Sequence, residues 1–431
     1  MASMLFKNSA LTMTRLVILL TFVSIILPSI RLPAGSPDVR LELIIVLIAW
    51  FFLLLGHLAT NHPLRLRANP MYKWFALFGL TILFSITYAT LIKGYYPIGR
   101  DFWELAKLLE YFLIFALVAS LRISPTDMKR YYKIALILFV FSAFFGFAQY
   151  LNLGNINALV SPYYAPTQMQ GLLLNGRITG TTSNPNEFGV LMVLASSLAL
   201  SGGLFFREQR LRLFAWICLA VFSFAIILTL SRSALIALAV ATGFILLFKY
   251  PLTVGVRRSL RRSLIVIPLL VVIVLIAVQL APVKFFSRAS QLQDILSSTS
   301  WQARLVNWQD DFALWTESPV FGWGPGKATM TTVVDNEWLL LLRRYGLVGT
   351  MIFVLWFGDF YFGLTRIRRR VLNAEVTALT VALQATLVAY VVYMIPAGVY
   401  HSLQLMAILL LFLGLAYSQS QAKSSVMRGE S

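Results

Sequence analysis

Six residues combine a side-chain type and a setting suited to chemistry on a phosphorylated, hydroxyl-bearing substrate: Arg177, Asn186, Arg232, Arg304, Asp335 and Asn336. The planar fork of arginine takes two phosphate oxygens at once and stays charged at any physiological pH. Each charge-assisted hydrogen bond contributes about 1.5–3 kcal/mol, so two or three converging guanidiniums would stabilise the charge growing on a departing diphosphate. A nearby carboxylate would orient an attacking hydroxyl. Arg177 lies in NGRITGTTSNPN (residues 175–186), where Gly, Thr and Asn supply turns and donors at a helix start, a natural anion site. Glu187 follows in the first turn, placed to pair with an arginine or to complement the helix dipole. An equally good reading of Arg177 is an interfacial arginine with its head in water. Arg232 sits in Leu230-Ser231-Arg232-Ser233, almost without a loop between two apolar runs, so a buried partner or an anionic ligand must offset its cost. Arg304 alone would pass for a surface charge. Asp335 is either the catalytic carboxylate or the cap of a helix starting at Asn336.

These residues must be positioned by a membrane-embedded scaffold. Of the 431 residues, 59% are hydrophobic and only 12% charged, with a mean hydropathy of +0.78. A soluble chain of this length needs far more charge to coat its surface. The expected fold is an all-α polytopic membrane protein of about twelve transmembrane helices, a single domain over residues 1–431. Span centres fall near Phe22, Ile48, Leu83, Leu113, Val140, Val193, Ala220, Ala239, Val272, Phe353, Leu383 and Ile408. The apolar run Thr14 to Leu27 reads as an uncleaved first span rather than a secretory signal, because many spans follow. The net charge of +19 comes from short basic loops after the even-numbered spans, such as Lys129-Arg130, Arg257-Arg258 and Arg368-Arg369-Arg370. This places those loops and both termini in the cytoplasm. Two longer segments then lie outside, residues 152–183 and a lid at 282–336.

In the lid, Trp301, Leu305, Trp308, Phe312 and Trp315 recur every three or four residues and share a helix face, with Gln302, Asp310 and Asp311 opposite. That face suits either the lipid–water boundary or packing on the tops of the spans. Ser300 is the expected N-cap. Ser318-Pro319 ends the helix, and Gly322-Trp323-Gly324-Pro325-Gly326 permits a sharp reversal.

Several classes are excluded or weakened. The basic charge comes without an RNA-binding or zinc pattern, so no nucleic acid is expected. No Gly-rich phosphate loop is present, so cytoplasmic ATP is not expected to drive the chemistry. The single cysteine, Cys218, forbids an internal disulfide and reads as a small buried hydrophobe. His57 and His62 flank a cytoplasmic loop; His401 is within reach of the site but reads as structural. No His/Asp/Glu cluster has metal-ligand spacing. A solute transporter or flippase is a weaker reading, because internal repeats are not evident and Pro268 and Pro396 fall near span ends.

The chain resembles the O-antigen ligase/polymerase superfamily of bacterial inner-membrane enzymes. The resemblance is carried by Arg177-Ile178-Thr179-Gly180-Thr181 with Asn184-Pro185-Asn186, by Leu230-Ser231-Arg232-Ser233, and by Arg304 with Trp308. It continues through Ser318-Pro319-Val320-Phe321-Gly322-Trp323-Gly324, Asp335-Asn336-Glu337-Trp338-Leu339 and Tyr345-Gly346-Leu347-Val348-Gly349. The resemblance implies a GT-C-like, inverting glycosyltransferase that needs no metal or other cofactor and works on the periplasmic face of the inner membrane. It implies a saccharide donor on undecaprenyl diphosphate, bound by Arg232 and Arg304 with Arg177 assisting. The acceptor is a second lipid-linked repeat unit in a polymerase or lipid A-core in a ligase. Membrane lipids, and for a polymerase a chain-length regulator, complete the implied partners. Ligases usually carry His-Asn where this chain has Asp335-Asn336, which favours the polymerase.

Overall fold

The computed structural model describes residues 41–60, 69–121, 123–161, 172, 176–182, 184–249, 299–327 and 335–426. The expected spans around Phe22 and Val272, residues 282–298 and 328–334 of the lid and most of 162–175 lie outside them. The described residues form helices joined by turns, with no strand among them. In chain order the helices are α1 (Leu41–Thr60), α2 (Tyr72–Lys93), α3 (Trp103–Ala119), α4 (Pro125–Leu151), α5 (Ile156–Val160), α6 (Pro185–Phe205), α7 (Gln209–Leu228), α8 (Arg232–Lys249), α9 (Thr299–Glu317), α10 (Glu337–Arg370), α11 (Ala374–Tyr393) and α12 (Leu403–Val426). Seven are long and apolar enough to cross a membrane: those beginning at Tyr72, Pro125, Pro185, Gln209, Arg232, Glu337 and Ala374. The expected centres Ile48, Leu113 and Ile408 fall within α1, α3 and α12; of these, α1 and α12 carry shorter apolar stretches.

The bundle is organised around α6, buried on every side from Phe188 to Gly203. A helix apolar all round belongs in the interior. Small residues let neighbours approach it closely: a Cβ on Gly189 would lie 2.7 Å from that of Ala234 on α8. Alternating helix directions give the bundle two ends. At one end, Lys93 of α2 reaches the carbonyl of Glu317 on α9 (2.6 Å), and Trp338 of α10 reaches Val391 of α11 (3.2 Å). At the other, Lys129 of α4 pairs with Glu208, which precedes α7, and Lys73 of α2 lies 3.7 Å from Asp359 of α10. All six candidate residues sit at the first end; Arg366 to Arg370 mark the second.

One helix is broken. Gly346 takes φ +63° and ψ −166° within α10, splitting it into an outer piece, 337–345, and an inner piece, 347–370. The backbone groups freed by the break are satisfied by the reversal after the lid. Trp323 N–H donates to Arg343 O (2.9 Å) and Gly324 N–H to Arg344 O (2.8 Å). Leu347 and Val348 donate to the carbonyls of Pro319 (2.9 Å) and Val320 (3.2 Å). The Ser85 hydroxyl on α2 is shared between the carbonyls of Phe321 (2.5 Å) and Arg344 (2.7 Å) and accepts from Gly324 N–H (3.1 Å). Non-helical backbone survives in an apolar bundle only where protein groups satisfy it in this way. The expected reversal is here: Gly322, Gly324 and Gly326 all have positive φ. The close approach also requires glycine, since a Cβ on Gly346 would stand 2.2 Å from Val320 O.

Replacing Gly346 by Ala combines a left-handed φ with that clash. It should cost about 2 kcal/mol or more, read as a lower unfolding temperature of the purified protein. Gly358→Ala, where a methyl meets open space, is the matched control.

Candidate active site

The loop carrying Arg177 is pinned to α4. Gln149 Oε1 accepts from the backbone N–H of Gly180 (2.8 Å) and Thr179 (3.2 Å), and the Ser142 and Thr181 hydroxyls meet at 2.7 Å. Asn184 then caps α6, followed by Pro185 in its first turn. So placed, Arg177 donates from Nη2 to Asn186 Oδ1 (2.8 Å) and from Nε to the carbonyl of Thr229 (3.0 Å). Thr229 lies in the tight α7–α8 turn, where Leu230 adopts φ +53°, a conformation that leucine takes only at a cost of roughly 1–3 kcal/mol. Arg232 opens α8 just beyond this strained residue. It is exposed and makes no hydrogen bond or ion pair with any described residue, so the buried partner its setting called for is absent among them.

Arg304, on the lid helix α9, is half-buried and donates from Nε to Asp335 Oδ2 at 3.3 Å. It is therefore more than the isolated surface charge it resembles in the sequence. The cap reading of Asp335 is corrected: α10 starts at Glu337, and Asn336 is the cap, accepting from Trp338 N–H (3.0 Å) and Leu339 N–H (3.1 Å). Two adjacent capping residues left a one-residue ambiguity, and the second took the role. Asn336 is thus committed through Oδ1 to its helix, while Asp335 faces Arg304. The expected cap Ser300 lies inside α9, which begins at Thr299. Tyr393, at the end of α11, is in electrostatic reach of Glu187, Arg304 and Arg177 together. The loop before α6, the lid and the start of α10 thus converge at one end of the bundle.

The lid helix buries one of its two adjacent acids and leaves Asp310 exposed. Asp311 is fully buried and bonds Arg343 of α10 at 2.6 Å. About a third of a turn round the helix, Phe312 is 51% exposed and Leu305 39%. With Trp308 and Trp315 half-buried, the stripe is divided between packing on the bundle and facing outward, as suits a helix at a lipid boundary.

A second group of charges was not legible as a cluster. Glu104 at the start of α3 is buried among Lys107 (2.5 Å), Lys327 (2.8 Å) and Arg344 (3.3 Å). Arg344 Nη1 also lies 2.6 Å from His401 Nε2, and His401 Nδ1 contacts Glu337 Oε1. Guanidinium can only donate, so Nε2 accepts and the ring proton sits on Nδ1, directed at Glu337. Glu337 Oε2 accepts from Val399 N–H at 2.6 Å. His401, expected to be structural and alone, is the centre of a network joining α3, α10 and the α11–α12 turn. Its only sequence signal is an unusual concentration of charge near apolar spans. Among the described residues no group of His, Cys, Asp or Glu is arranged to hold a metal ion.

Residues 213–354, about a third of the chain, match the family model described as O-antigen ligase. The match supports the O-antigen ligase/polymerase superfamily. It spans most of α7, all of α8, the lid helix and the break in α10, and so contains Arg232, Arg304, Asp335 and Asn336 but not Arg177 or Asn186. No curated protein matches the chain. The apolar helices accord with a multi-pass membrane protein.

Glu104→Gln would leave three cations around a neutral amide. Breaking a buried ionic group in this way costs about 3–5 kcal/mol, measurable as thermal unfolding of the purified protein. Burial pushes His401 below its ordinary value of 6.5 even beside Glu337. Below 6.5 the unfolded chain takes up a proton that the folded chain resists. The stability is therefore full above that pH and declines as pH falls through the folded value. Melting curves between about pH 8 and 5 should show this decline, and His401→Gln should flatten it.

Proposed function

We propose that this chain is a glycosyltransferase that polymerises oligosaccharide repeat units carried on undecaprenyl diphosphate, at the periplasmic face of the bacterial inner membrane. The observation that carries the reading is the convergence of Arg177–Asn186 and Arg304–Asp335 at the lid end of an apolar bundle. The basic loops at the opposite end would lie in the cytoplasm and both termini with them, which turns the lid outward.

In this reading Arg304 and Arg232 grip the diphosphate and Arg177 assists. Arg304 uses Nε for Asp335, and its two terminal nitrogens bond no described residue, so the fork retains capacity for phosphate oxygens. An acceptor hydroxyl attacks the anomeric carbon, the new glycosidic C–O bond forms as the carbon–phosphate-oxygen bond breaks, and the leaving electron pair stays on the diphosphate. The hydroxyl proton passes to the Asp335 carboxylate, which Arg304 orients. The guanidiniums act where charge develops, so their contribution is to the transition state rather than to ground-state binding. No metal or other cofactor enters this scheme.

Transfer to lipid A-core is the second reading, favoured by the description of the matching family model. The presence of Asp335 where ligases usually carry histidine favours the polymerase. Purified protein supplied with lipid-linked repeat units separates the two: chain growth without lipid A-core supports the polymerase, and glycan transfer only when lipid A-core is added supports the ligase.

Arg304→Ala and Asp335→Ala should each lower transfer by about a hundredfold or more with normal membrane insertion. Arg177→Ala should lower it less, because Arg177 only assists and spends its Nε and one Nη2 bond on Thr229 and Asn186. Wild-type rates in both Arg304→Ala and Arg232→Ala would remove the diphosphate clamp.

A further inference from the structure

The end of the bundle opposite the lid carries a cavity of about 470 Å³ between α8, α10 and α11 that the proposed reaction does not use. Its walls combine the aromatic side chains of Phe248, Tyr361 and Phe362 with Arg366, Arg368 and Arg369. Among the described residues, no carboxylate lines it. One wall is built with care. Gln384 is an amide buried in the apolar span α11; its Nε2 donates to Thr365 Oγ1 (2.7 Å) and the Tyr361 carbonyl (3.0 Å), and its Oε1 accepts from Arg368 Nη1 (2.5 Å). Arg368 also stacks on Phe248, 4.2 Å from the ring centre. This guanidinium is held against an aromatic surface and not left to wander in solvent. Arg369 and Arg366 flank it on the same end of α10. Arg366 is partly neutralised by Asp359, 2.5 Å away, which also accepts from Trp74 Nε1 (2.9 Å). Arg369 has no partner among the described residues.

We infer that this cavity binds one anionic phospholipid, with its headgroup phosphate on Arg368 and Arg369 and an acyl chain along Phe248 and Phe362. Three features select a lipid over a soluble anion. The cavity opens on the flank of spans whose outward surface is apolar, Phe362 itself being 63% exposed. Aromatic walls offer nothing to a hydrated phosphate but suit a chain that continues from one. The arginines cluster at the end of a span, the level at which headgroups lie. The fork of Arg368, fixed by Gln384, presents its remaining donors without further ordering.

The test uses the purified full chain in a neutral detergent, titrated with phosphatidylglycerol or phosphatidylcholine, with bound lipid counted by native mass spectrometry. The expected result is about tenfold tighter binding of phosphatidylglycerol, lost in Arg369→Ala and in Arg368→Gln. Arg369→Ala touches no buried contact, so its folding is not in question; Arg207→Ala, an exposed arginine at the same end, should retain the preference. Equal affinity for the two lipids, an unchanged preference in Arg369→Ala, or an equal loss in Arg207→Ala would overturn the site. Displacement of the lipid by millimolar inorganic phosphate would overturn the choice of occupant.

Discussion

The architecture depends on one exchange of backbone hydrogen bonds. Where α10 breaks at Gly346, the carbonyls of Arg343 and Arg344 and the N–H groups of Leu347 and Val348 lose their helical partners, and the reversal from Pro319 to Gly324 supplies replacements. In an apolar bundle each unsatisfied group would cost several kcal/mol. The break and the reversal therefore exist only together. Their union fixes where the lid helix α9 begins its return, and hence where Arg304 meets Asp335. Ser85 of α2 ties the same junction to the bundle, so the lid is registered against two spans rather than hung from a flexible tether.

The charges around the junction solve a second problem. Arg343 and Arg344 lie beside the break, buried in a bundle that has little to offer them. Asp311 from the lid takes the first, and Glu104 of α3 with His401 takes the second. These pairs supply geometric specificity: the two arginines point in different directions from adjacent positions, and each direction has its own acidic partner. The neutral His401 spaces Arg344 from Glu337 without adding another cation to a site that already holds Lys107 and Lys327.

Much of this was legible from the sequence. The apolar runs marked the helices, the glycines of 322–326 marked the reversal, and Ser318-Pro319 marked the end of the lid helix, because all three signals are local. Arg177, Arg304 and Asp335 were legible as candidates because charge or polarity beside apolar spans demands a reason. What sequence could not disclose was pairing. Arg344 and Glu104 are separated by 240 positions, and His401 and Glu337 by 64, so no periodicity links them. The choice between Asp335 and Asn336 as cap was equally hidden, since both residue types cap and only the entry angle of the chain decides.

The split in α10 has a mechanical consequence. Its outer piece is bonded to the reversal, whose Trp323 and Gly324 donate to its carbonyls, and to the residue after α11, where Glu337 N–H reaches Met394 O, while Leu347 and Val348 of the inner piece donate to Pro319 and Val320 instead of continuing the ladder. A load applied to the lid would therefore tilt the turn bearing Asn336 and Glu337 first, while the inner piece, gripped along α2 and α11, stayed upright. The molecule has a lever with its fulcrum at one glycine.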